Sequence, residues 1–61
     1  MATVRITQRD GRISELRVVG EANDVAKALQ AEAKPILFGE DGRVLVVQMR
    51  NVAVVTVEND I

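Results

Sequence analysis

Residues 44–57 read Val-Leu-Val-Val-Gln-Met-Arg-Asn-Val-Ala-Val-Val-Thr-Val, and seven of the chain's eleven valines fall there. Branching at the β carbon restricts these side chains and suits them to strands. Arg50 and Asn51 break the run, and Asn tolerates the backbone of a tight turn, so the segment predicts two strands and no helix. In the first strand, over residues 43–49, Val44 and Val46 point one way while Leu45, Val47 and Met49 point the other. In the second, Val55 and Val57 oppose Val52 and Val54. Both faces are apolar, so a chain with this ending has two surfaces to cover.

Upstream, Ala2, Val4, Ile6 and Gln8 alternate with Thr3, Arg5 and Thr7, the period of a half-buried strand. Ile13, Leu16, Val18 and Val19 follow after Asp10-Gly11. A two-residue hairpin at Asp-Gly would set Val4 opposite Arg17 and Ile6 opposite Glu15, which the parity of the apolar residues rejects. A three-residue loop of Arg9, Asp10 and Gly11, with Gly11 in a left-handed bulge, pairs Val4 with Leu16 and Ala2 with Val18. That register has one apolar and one polar face, and it puts Arg5 opposite Glu15.

Beyond Gly20 the period lengthens. Ala22, Val25, Ala26, Leu29 and Ala33 fall on one side of a helix over residues 22–34, with Asn23 or Gly20 as cap and Asp24 at the positive end. Pro35 stops it near Ala33. A short apolar run, Ile36, Leu37 and Phe38, precedes Glu40-Asp41-Gly42-Arg43-Val44, which echoes Arg9-Asp10-Gly11-Arg12-Ile13. The echo reads as shared turn chemistry, not as proof of duplication.

The order is β-β-α-β-β-β in a single α+β domain spanning residues 1–61: an antiparallel sheet of four or five strands with one helix on one face. A helix about 10 Å across covers roughly two strands, so the second face of a C-terminal hairpin is left wet. Contiguous apolar surface of that kind marks an interface. Self-association is therefore expected, with Leu45, Val47, Met49, Val52 and Val54 as the candidate contacts. A homodimer is favoured because two-fold assemblies are the commonest, and a ring built through free sheet edges is the alternative.

The inventory for chemistry is thin, since the chain has no Cys, His, Trp or Tyr. A Ser-His or Cys-His arrangement is excluded for Thr3, Thr7, Ser14 and Thr56. Glu40 with Asp41 and Glu58 with Asp60 read as solvated pairs, and the glycines form no phosphate loop. No catalytic residue, metal or cofactor is expected, and the chain is read as a non-enzyme. The first nine residues lack the continuous apolar stretch of a signal peptide, so a cytoplasmic location without membrane association is the expectation.

Eight cations against nine carboxylates exclude a strongly basic clamp. The first twenty residues nevertheless carry Arg5, Arg9, Arg12 and Arg17 against Asp10 and Glu15, a local charge of four minus two, +2. Those arginines are the candidate contacts of an alternative reading, a nucleic-acid or nucleotide-binding regulator assembled by oligomerisation. It lacks an aromatic base-stacking platform. Gly11-Arg12-Ile13, Glu15-Leu16-Arg17 and residues 40–44 superficially resemble the swapped-hairpin AbrB-type DNA-binding domains. Those domains have an Ile-Pro step before a helix bearing the Glu-Leu-Arg residues. Here Ser14 leads straight into Glu15 and the strand continues to Val18, so that family is not adopted. The leading expectation is a small homo-oligomeric assembly or regulatory module that binds itself or another protein.

Overall fold

A computed structural model describes residues 1–60. The chain folds as β1 (Ala2–Gln8), β2 (Ile13–Val18), α1 (Ala22–Ala31), β3 (Ile36–Phe38), β4 (Val44–Val46), a single 3-10 turn at Met49–Asn51, and β5 (Val52–Asn59). It is an α+β protein with one α-helix and antiparallel strands. The strands divide into two sheets, β2-β1-β5 and β3-β4, where a single sheet was expected. The last two strands do not form a hairpin with each other. β4 pairs back on β3, and β5 crosses to the free side of β1.

The first hairpin has the register demanded by side-chain parity, with Ala2 opposite Val18, Val4 opposite Leu16 and Arg5 opposite Glu15. Its turn is locked by chemistry that recurs at the second. The Gln8 N–H donates to the Arg12 carbonyl (2.8 Å) and the Gly11 N–H to the Gln8 carbonyl (3.0 Å); Gly39 N–H donates to Arg43 (2.7 Å) and Gly42 N–H to Gly39 (3.1 Å). Asp10 Oδ1 accepts the Arg12 N–H at 3.0 Å, as Asp41 Oδ1 accepts the Arg43 N–H at 3.1 Å. Gly11 and Gly42 sit at φ 91° and 89°, a region that costs any residue with a β carbon. The Asp-Gly-Arg echo in the sequence is thus one turn built twice.

One face of the three-stranded sheet is the floor of the core. Ala2, Val4 and Ile6 of β1 and Leu16 and Val18 of β2 are buried there, roofed by Leu29 of α1, Leu37 of β3 and Val47 after β4. Val52, Val55 and Val57 of β5 pack half-buried against the same cluster. Val52 shares this face with Val55, and not with Val54, because the register slips by one residue: Thr7 faces Val54 but Gln8 faces Val52, so Ala53 is bulged out. Strict alternation cannot anticipate a bulge. In the β4 segment the expected parity holds, with Val44 and Val46 exposed, Leu45 half-buried and Val47 buried.

The helix ends at Ala31, two residues before the expected stop, and Glu32 is extended (ψ 151°). The reason is competition for the carbonyls that follow. Ala33 and Pro35 carbonyls accept the Met49 and Val47 N–H groups (3.0 and 2.9 Å) and so extend the β3-β4 ladder. The start also differs from expectation. Neither Gly20 nor Asn23 caps it; Glu21 occupies the N-cap position without a side-chain bond, and the Ala22 N–H donates to Asn59 Oδ1 of β5 at 2.7 Å.

Leu29, 2% exposed, is the only fully buried residue of α1. Leu29→Ala is expected to cost about 2–5 kcal/mol in urea unfolding. Asn59→Ala, which leaves the helix N-terminus uncapped without touching the core, is expected to cost about 1 kcal/mol by the same measurement.

Candidate association surface

The burial pattern moves the exposed apolar surface. Of the five residues expected to mediate association, Val47 belongs to the core, Leu45, Met49 and Val52 are half-buried against it, and Val54 alone is exposed (57%). The large exposed apolar group is on the outer face of the β3-β4 hairpin. Ile36 pairs with Val46 and Phe38 with Val44 across that ladder, so the four side chains form one block, each 51–67% exposed. The short β3 run raised no such signal in the sequence, because three consecutive apolar residues do not disclose which ones face out. Only the pairing with β4 does.

A second apolar feature runs along the other side of the molecule. Between α1 and β5 lies an open groove of about 380 Å³, lined by Ala26, Leu29 and Met49 with Val52, Val55 and Val57. β5 pairs only with β1, and among the described residues no backbone hydrogen bond reaches its outer edge. The far end of β2 is partly covered instead, since the Glu40 N–H donates to the Arg17 carbonyl and Val18 bridges Gly39.

The remaining face of the three-stranded sheet is polar and tied together by ion pairs. Arg5 bonds Glu15 through Nε and Nη2 (3.1 and 2.9 Å). Arg17 bonds Asp60 through Nε (2.8 Å) and Glu40 through Nη1 (3.1 Å), which holds its guanidinium pKa above the ordinary value. Asp60 also accepts the Thr3 hydroxyl (2.8 Å), and that bond, with the one from Arg17, pulls its carboxyl below the usual range. The N–H of Arg43 does the same for Asp41. Arg12 folds back on Asp10 (3.4 Å). Of the four arginines of the nucleic-acid reading, Arg5 and Arg17 lie on this ion-paired face, whereas Arg9 and Arg12 lie in the first turn. Arg9 is drawn beside the 3-10 turn, its N–H donating to the Asn51 carbonyl (2.8 Å).

The cleft of about 290 Å³ beneath the hairpin is lined by Gln8, Ser14, Gln48, Asn51 and aliphatic groups, none of which titrates as an acid or base near neutrality. Among the described residues no group of three or more carboxylates, thiols or imidazoles converges, and no helix is long and apolar enough to cross a membrane.

The lowered carboxyl pKa of Asp60 has a defined sign. A group whose pKa is depressed by folding adds stability above its unfolded pKa, about 3.9, and that contribution is lost as the pH falls through the folded value. Asp60→Asn is therefore expected to be less stable than wild type at neutral pH, with the difference shrinking below about pH 4, measured by urea midpoints across the pH series.

No protein-family model, curated protein or solved structure significantly matches the chain.

Proposed function

We propose that this protein is a self-associating assembly or regulatory module without catalytic activity, whose work is done by binding a second copy of itself. The observation that carries this reading is the block of Ile36, Phe38, Val44 and Val46 held outward on the β3-β4 ladder while the monomer's own core is already roofed. Four large apolar side chains on one surface exceed the scattered exposure normal for a monomer, and their burial between copies is driven by the same transfer of apolar area from water that built the core. A chain of 61 residues also has little core to spare, so linkage of folding to assembly adds stability where it is scarce. Location in the cytoplasm fits a module of this kind and belongs to the same proposal.

A second reading, a regulator that binds a polyanion, draws on one feature. Arg9 and Arg50 belong to neighbouring segments, since the Arg9 N–H bonds the carbonyl of Asn51, the residue after Arg50, and neither forms an ion pair among the described residues. Binding to mixed DNA and RNA with a steep salt dependence would favour it. Self-association leads because four of the six arginines are already held by carboxylates.

In sedimentation velocity the wild type is expected to run heavier than 6.7 kDa and its melting temperature to rise with protein concentration. Phe38→Lys, at a position already 67% exposed, is expected to lower the association constant by at least about tenfold while leaving the far-ultraviolet spectrum unchanged. A wild-type chain that stays monomeric, with melting independent of dilution, would refute the proposal.

A further inference from the structure

The self-association reading leaves open how two copies meet, and the edge of β5 bears on that. We infer that a second copy adds its own β5, antiparallel, to the free edge of β5, joining two three-stranded sheets into a continuous sheet in the order β2-β1-β5-β5-β1-β2 about a two-fold axis. The inference rests on the self-association reading and assigns it a second contact, distinct from the outer face of the β3-β4 hairpin.

Three features of the strand support it. In an antiparallel ladder every second residue turns its N–H and C=O away from its partner, so β5, bonded only to β1, presents unmatched groups along its outer edge, most regularly from Val54 to Asn59 beyond the bulge at Ala53. The sequence Val-Ala-Val-Val-Thr-Val-Glu-Asn contains no Pro, Lys or Arg, the residues with which natural edges repel a second strand. The groove beside that edge is largely apolar, and the half-exposed Val55 that lines it would lie opposite Ala53 of the incoming strand and diagonally across from that strand's own Val55.

Charge selects the direction. Arg50 stands at the start of β5 and Glu58 near its end, and neither has an ion-pair partner among the described residues. A parallel addition would set Arg50 beside Arg50 and Glu58 beside Glu58. An antiparallel addition sets each Arg50 at the Glu58 end of the other copy, twice over by symmetry. That register places the two-fold near Val54, whose side chain is on the polar face of the sheet and 57% exposed, so the two copies of Val54 face one another across the new ladder.

The test uses charge at that position. Val54→Lys and Val54→Glu, each alone, should put like charges together at the axis and lower the association constant at least tenfold in sedimentation velocity. An equimolar mixture of the two should recover it as a mixed species. Both substitutions are on an exposed face, and recovery on mixing shows that each chain remains folded. Amide hydrogen exchange of the wild type supplies an independent reading: alternate β5 amides should gain protection as concentration rises. Association of both single variants at wild-type strength, or outward β5 amides that exchange equally fast in dilute and concentrated wild type, would overturn the β5 contact. If the wild type associates and only Phe38→Lys weakens it, the self-association proposal stands and this one fails. A wild type that never associates refutes both.

Discussion

β1 is bonded along both edges, to β2 on one side and β5 on the other, and the rest of the molecule depends on that double pairing. Its inward residues, Ala2, Val4 and Ile6, are at most 2% exposed, and full burial of a side chain the size of Val4 or Ile6 contributes on the order of 1.5–3 kcal/mol. Ile6, toward the far end of the strand, lines the cleft beneath the second hairpin with Leu45 and Val47. Without β1 in the centre, β2 and β5 would have no partner strand in their sheet.

The two ends of the chain are bound to this centre by polar contacts, which act where the apolar core stops. The Asp60 N–H donates to the Met1 carbonyl, and the Asp60 carboxylate gathers Thr3 and Arg17. Next to it, Asn59 supplies the acceptor for the first N–H of α1. The last residues of β5 therefore cap the helix and close the sheet together. Folding of the helix is coupled to docking of a strand distant from it in sequence, a non-local contact of the type that slows folding.

Both faces of the molecule beyond the core are explained by the same division. The polar face of the three-stranded sheet offsets charges internally through Arg5-Glu15 and through Arg17 with Asp60 and Glu40. The second hairpin has no such covering on its outer side. An apolar block on a short ladder, together with an unpaired edge on β5, gives the proposed assembly its surfaces.

Much of this was legible in the order of residues because it depends on local rules. The parity of Ala2, Val4 and Ile6 against Leu16 and Val18 determined the first register, since a slip of one residue would have turned every apolar side chain to water. The two Asp-Gly-Arg turns follow from a carboxylate that accepts the next-but-one N–H and a glycine that tolerates positive φ. The spacing around Leu29 marked the helix face. Tertiary structure alone decided which strands became neighbours: β5 went to β1, and not to β4, because β1 had a free edge over a continuous apolar floor. It also decided the bulge at Ala53, the cap from Asn59, and the outward face of Ile36, Phe38, Val44 and Val46. Each of these is set by which distant backbone lies alongside, and side-chain pattern within one segment does not contain that information.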